Sequence, residues 1–175
     1  YLLNRLDSAT SGVVLLALDE AVAKSALEAF ERKAVSKTYC ALVFGALRGG
    51  PPLWRDRLSV KRAEGGVRAS AGGGLHAETK LVRADAIPGT PLMSRLLLMP
   101  LTGRTHQLRI QCAKRNVPIV GDRTYGDFQK NKQAAKAKQL KRLCLHCMGT
   151  ELSYQVGGRE FRFKATSKVP FWLAS

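Results

Sequence analysis

The chain is predicted to fold as an α+β domain. Strand-like stretches outnumber helical ones, and several are joined by short Gly- or Pro-bearing loops of the kind that make antiparallel hairpins. Helical patterns do not alternate regularly with strands, as the crossovers of a doubly wound parallel sheet would require. At 175 residues and 45% hydrophobic content, the chain can bury one substantial core.

The elements follow in order. Residues 8–12 are rich in turn formers, and the unbroken apolar run 13–18, with its two valines, reads as a buried strand. Asp19 sits where a helix N-cap belongs, and Glu20 adds negative charge to the first turn. Val22, Ala23, Ala26, Leu27 and Phe30 then recur at helical spacing, with Lys33 near the end, where a cation suits the helix dipole. Residues 37–44 resume a strand pattern that stops at Gly45.

From 46 to 74 the chain is loop-rich, and residues 56–62 suggest an exposed hairpin carrying Arg55, Arg57, Lys61, Arg62 and Arg68. Two further strands are expected at 76–83 and 93–99, separated by a Pro/Gly loop. Thr105 is expected to cap a helix reaching about Lys114, with Leu108 and Cys112 on one face and Pro118 following as a terminator. Residues 129–142 hold Lys130, Lys132, Lys136, Lys138, Lys141 and Arg142 with no acid among them. They read as a basic helix or loop insertion, either simply solvated or supplying affinity for a nucleic-acid backbone. Strands at 143–148, 151–156 and 159–164 close the chain, the last two joined by Gly157-Gly158.

Charge narrows the function. With 29 Lys and Arg against 13 Asp and Glu the net charge is +16, so a polyanion is the expected partner and nucleic acid the leading one. No apolar run approaches the length of a membrane span, and no signal peptide is visible, so a cytoplasmic protein without membrane association is expected. The chain begins at Tyr rather than Met, which suggests that an upstream segment is missing. Cys40, Cys112, Cys144 and Cys147 read as free thiols. Cys144-Leu-His-Cys147 has a metal-like look, but His76 and His106 carry no matching cysteine pair, so no metal site is expected.

Two stretches could carry chemistry. Asp7 lies beside Arg5 in a turn, and a carboxylate on an anion-binding surface opposes binding unless it has a task, such as covalent attack at a sugar or base carbon. Taken alone, it reads more simply as an Asx-turn or loop-ordering aspartate. Residues 103–109, Gly-Arg-Thr-His-Gln-Leu-Arg, place a glycine turn, a helix start and two arginines together, which is either an anion site or a basic helix end at the surface. An arginine within about 4 to 6 Å of Asp7 would keep it ionised. Tyr39, in mid-strand, reads as a core aromatic whose hydroxyl needs a partner. Neither a Walker sequence nor Gly-x-Gly-x-x-Gly is present, so no nucleotide cofactor is implied.

Five motifs in this order resemble the RluA-like family of pseudouridine synthases. They are Arg5-Leu6-Asp7-x-x-Thr10-Ser11-Gly12, Lys37-x-Tyr39-x-Ala41-x-Val43-x-Gly45, the run from Thr102 to Arg109, Pro118-Ile119-Val120-Gly121-Asp122-x-x-Tyr125-Gly126, and Leu145-His146. The resemblance spans nearly the whole chain and reverses the simpler reading of Asp7. It implies a single catalytic domain over residues 1–175 with a mixed, mostly antiparallel sheet and flanking helices. It also implies an isomerase that needs no cofactor and acts on structured ribosomal or transfer RNA as a monomer. Asp7 would be the nucleophile, Tyr39 would lie against the uracil and assist a proton transfer, and Arg109 would pair with Asp7. Arg5 would fill the space of a flipped nucleotide, Leu145 would lie near the ring, and Arg104, His106 and Gln107 would contact substrate. Asn4 departs from the family's usual His, which is expected to change loop contacts. A non-catalytic RNA-binding module and a metal-dependent nuclease are the rivals.

Overall fold

A computed structural model describes residues 1–47, 51–63, 66–71 and 73–173. The side chains of residues 60–72 fall outside that description, among them Lys61, Arg62 and Arg68 of the expected basic hairpin. The strands are β1 (Ser11–Gly12), β2 (Val35–Phe44), β3 (Leu53–Ala63), β4 (Gly66–Ala71), β5 (Leu75–Ile87), β6 (Met93–Pro100), β7 (Leu145–Val156) and β8 (Arg159–Thr166). The helices are α1 (Glu20–Glu31), α2 (Gln107–Lys114) and α3 (Phe128–Lys138).

The strands form one sheet in the order β1-β7-β2-β6-β5-β3-β4, with β8 also paired to β7. Among the described strands only β1 on β7 is parallel, so the fold is the α+β arrangement with a mixed, mostly antiparallel sheet. One edge of β7 is taken by β2, while its other edge is shared between β1, at His146 and Cys147, and β8, from Gly149 onward. That sharing brings the turn following Asp7 alongside Leu145 and His146, 135 residues away in sequence from Ser11. Gly12 makes it possible: its φ is +122°, and a Cβ there would run into the Cys147 carbonyl.

The main core lies between the β2–β6 face of the sheet, α2 and residues 117–120 and 140–145. Phe44, Leu96, Leu98 and Ile119 are all but sealed from solvent. Each such side chain contributes about 1.5–3 kcal/mol of burial.

Four expectations change. Residues 13–18 are not a strand buried on both sides: Val13, Leu15 and Ala17 point inward while Val14, Leu16 and Leu18 are exposed. This segment pairs instead with the chain start, through Leu3 N–H to Leu15 O at 3.0 Å and Ala17 N–H to Tyr1 O at 2.9 Å. Asn4 knits the two together, accepting from Leu15 N–H at 2.7 Å. Thr105 does not cap α2. The N-cap is His106, in a left-handed conformation with no side-chain cap, because the preceding turn is closed by Gln107 instead, whose side chain accepts from Arg104 N–H at 3.0 Å. The two strands expected at 143–148 and 151–156 are one strand, β7, whose side chains pack inward on one face along most of its length. The hairpin read as exposed has β3 starting earlier, with Trp54, Asp56 and Leu58 all buried. Asp19 caps α1 as expected, accepting from Val22 N–H at 3.0 Å, and the lysine-rich stretch is helical as α3, capped by Asp127 accepting from Lys130 N–H.

Candidate active site

The loop after the chain start, the middle of β2 and the turn into α2 enclose a cleft of about 870 Å³. Asp7, Tyr39, Arg5, Arg104, His106, Gln107 and Leu145 all line it. Lys33 and Lys37 add to its rim, so cations outnumber the acids Asp7 and Glu31 and the cleft favours an anionic ligand.

Asp7 sits in a turn closed by its own backbone, its carbonyl accepting from Thr10 N–H at 2.8 Å. The turn therefore does not consume the carboxylate, as an Asx-turn would. Its side chain is 28% exposed, and Asp7 Oδ2 stands 3.7 Å from Arg109 Nη1, too far for a hydrogen bond but close enough for a Coulomb attraction.

Arg109 is buried and held from behind. Its Nε and Nη2 donate to the two carboxylate oxygens of Asp122 at 2.8 and 2.9 Å, which fixes the guanidinium plane and leaves Nη1 toward Asp7. Burial opposes the charge on Arg109, but the Asp122 hydrogen bonds and charge, with Asp7 behind them, outweigh it and raise its pKa. Burial likewise opposes ionisation of Asp122, yet Arg109 and the backbone N–H groups of Tyr125 and Thr124 hold its carboxyl below the ordinary range. The motif residue Asp122 thus has a function that pattern reading did not assign. The signal was present in Gly121-Asp122-x-x-Tyr125, a second motif acid inside a strongly basic chain.

Tyr125 was missed as well. Its hydroxyl lies 2.9 Å from His106 Nδ1, its ring is 5.1 Å under the Arg109 guanidinium, and its N–H donates to Asp122 at 3.0 Å. It ties His106, which lines the cleft, to the Arg109–Asp122 pair behind it. His106 has a φ of +53°, a conformation that costs a non-glycine residue about 1–2 kcal/mol, and the bond to Tyr125 holds its ring in place. Burial lowers its pKa and favours the neutral imidazole.

Tyr39 lines the cleft at a point where the pairing of β2 with β7 shifts register, Thr38 facing Gly149 and Tyr39 facing Cys147, which leaves Met148 of β7 as the extra residue. Burial, and then the neighbouring Cys147, push the phenol pKa up, so the hydroxyl stays protonated. Gln107 is buried with both ends engaged. Nε2 donates to Glu78 O and Thr79 Oγ1, both at 2.9 Å, while Oε1 accepts from Thr102 Oγ1 and Arg104 N–H. Those four bonds exhaust its donors and acceptors, so it shapes the turn carrying Arg104 and His106. Arg104 Nε donates to His76 O at 3.0 Å. Arg5 is exposed at the mouth. His146 is buried between Ser11 Oγ at 2.8 Å and Ser167 Oγ at 3.0 Å, a latch between β1 and the chain after β8. Cys144 and Cys147 are free and buried, and among the described residues no three metal-ligating side chains gather. Burial pushes the Cys144 thiol up to about 12.

A basic cleft with an open acid at its floor, set on a mostly antiparallel sheet, fits a nucleic-acid-modifying domain. Comparison with known proteins makes the class specific. The model of the RNA pseudouridylate synthase family matches residues 1–114, and the chain belongs to that family. A Mus musculus protein named RNA pseudouridylate synthase domain-containing protein 1 is 32% identical over 177 residues, covering 96% of this chain and 55% of its own length. The Yersinia pestis tRNA pseudouridine synthase C is 33% identical over 180 residues, covering 98% of this chain and 70% of its own. The chain thus spans only about half of the mouse relative. The solved structure of human RNA pseudouridylate synthase domain containing 1 superimposes with a TM-score of 0.75 at 26% identity, over 97% of this chain and 69% of that one. No helix among the described residues is long and apolar enough to cross a membrane.

Proposed function

We propose that this chain isomerises uridine to pseudouridine in structured RNA, with Asp7 as nucleophile, and that transfer RNA is the substrate class to try first, ribosomal RNA the second. The bacterial relative's name supports that order. The single observation that carries the reading is the asymmetry at Arg109, whose two donors are locked on Asp122 while a third faces an open Asp7 carboxylate. A carboxylate held beside a fixed cation, in a cleft that attracts phosphates, is equipped for attack on a sugar or base carbon.

In this reaction the glycosidic bond from C1′ to N1 breaks, a bond from C1′ to C5 forms, the proton on C5 is lost and N1 takes one up, so that substrate and product are isomers. The target nucleotide must first leave its stack, at a cost of a few kcal/mol. Arg5 at the mouth is placed to occupy the vacated space. Leu145 and Tyr39 offer the ring an apolar wall, and the protonated Tyr39 hydroxyl is a donor there for the proton transfer. Arg104 and Lys37 hold flanking phosphates, while His106 and Gln107 keep the turn in shape. The reading needs one copy of the chain, since every group in the site comes from it, and places the protein in the cytoplasm.

Asp7→Asn tests it. Incubated with RNA without added metal or nucleotide, the variant should lose at least about 10³-fold in pseudouridine formation while binding RNA as before. Substantial residual product would sink the assignment. Strand cleavage abolished by EDTA would instead identify a nuclease.

A further inference from the structure

Helix α3 stands on the outer side of the turn that holds Arg109. Asn131 docks it there, its Oδ1 accepting from Gly121 N–H at 2.7 Å and its Nδ2 donating to Asp122 O at 2.8 Å, and Ala134 is sealed beneath it. At about 100° per residue, those two positions define the inward face, and Phe128, Lys132 and Lys136, spaced i, i+4, i+8, run together up an exposed flank. Phe128 is 77% exposed. It borders a second cleft of about 520 Å³, whose walls include Tyr125, Pro118, Asn116 and Lys130. Tyr125 also bonds His106 of the Asp7 cleft, so the two clefts meet at one pair of side chains.

A phenyl ring left mostly in water at the head of a lysine-rich helix returns little packing energy to this fold. A nucleic-acid base suits both features, because it presents an apolar face on a chain of phosphates. Lys130 is partly neutralised by Asp127, 3.4 Å away, but Lys132 and Lys136 have no acidic partner within 4 Å among the described residues. We propose that this flank of α3 is a platform for unpaired nucleotides next to the reacting uridine: Phe128 stacks on a base, and Lys132 and Lys136 hold phosphates. The platform rests on the reading that the substrate is RNA. It gives α3 more than the backbone affinity that its uniform charge suggests.

Fluorescence anisotropy of the whole chain with a single-stranded oligouridylate and with bulk transfer RNA, over a range of salt, tests the platform. Phe128→Ala should weaken oligouridylate binding by about 5- to 150-fold and leave the salt slope unchanged, because stacking involves no counterion release. Lys132→Ala with Lys136→Ala should weaken binding and reduce the salt slope by about 0.7 per charge removed. Phe128→Trp should keep the parent's affinity. Unchanged melting temperatures will show that these exposed substitutions leave the fold intact. Phe128→Ala binding both RNAs within two-fold of the parent overturns the platform and leaves the ring to a protein partner. Because binding is read without turnover, this test separates from the catalytic one: stacking without pseudouridine sinks the chemistry alone, and pseudouridine without a Phe128 effect sinks the platform alone.

Discussion

Two acidic centres flank helix α2, and they are built to opposite ends. On the far side Asp56 is sealed, its side chain 1% exposed, and takes hydrogen bonds from Gln111 at 2.9 Å, Lys114 at 2.6 Å and Arg115 at 2.9 Å. On the cleft side Arg109 and the backbone N–H groups of Thr124 and Tyr125 satisfy Asp122 as fully, but among the described residues Asp7 receives only a long approach from the same guanidinium. A carboxylate with both oxygens engaged in close hydrogen bonds is a structural part, since attack would require breaking those bonds. The carboxylate left open beside a pinned cation can react. The helix and its C-cap offer cations on both sides, and the difference lies in how many donors each acid is given.

The largest effect that tests this contrast is on chemistry. Asp7→Asn should abolish turnover, as above, yet change stability by no more than about 0.5 kcal/mol, because few native bonds are lost; a urea titration beside the activity assay reads both. Arg109→Met comes next. It strands the Asp122 carboxylate in the interior and should cost about 3–5 kcal/mol in the same titration, along with activity. Asp56→Asn should cost less, about 1–3 kcal/mol, since Lys114 and Arg115 are partly exposed and can turn to water, and pseudouridine formation should persist. If Asp56→Asn removed activity as Asp7→Asn does, the division between sealed and open acids would fail. Tyr125→Phe keeps the ring on Arg109 but drops the bond to His106. It should cost about 0.5–1.5 kcal/mol and slow turnover while leaving RNA affinity unchanged; a loss of affinity instead would place His106 in direct contact with RNA.

The smallest effect is spread over pH. For Asp56 and Asp122, burial favours the neutral acid but the donors around each carboxylate outweigh it, so both pKa values lie below the unfolded ones. The unfolded chain therefore binds more protons in that window. Stability from these groups is complete above the unfolded pKa of about 3.9 and is lost as pH falls through the folded values. Acid unfolding followed by circular dichroism should show a shallower slope below about pH 4 in Asp56→Asn than in the parent.

Much of this was legible in advance. The capped helix α1, strand β2 and the Gly157-Gly158 hairpin follow from local rules, and the Asp7, Tyr39 and Arg109 motifs do meet at one cleft. Asp56 was missed because the stretch around it looked like an exposed basic hairpin. Its own alternation gave the warning, since Trp54, Asp56 and Leu58 share one face at period two and all are buried. The exposed side of residues 13–18 was not legible, because an apolar run carries no mark of which neighbours will cover it.

From the sequence alone came the α+β class, the expectation of a polyanionic partner and the candidate acid, because turn chemistry, periodicity and charge act over a few residues or over the whole composition. The tertiary structure decided which acids are satisfied. Whether Asp7, Asp56 or Asp122 stays open depends on donors that arrive from α2, across separations of up to 102 positions between Asp7 and Arg109. Only the pairing of β1 on β7 and the burial of Arg109 against Asp122 bring those groups within reach.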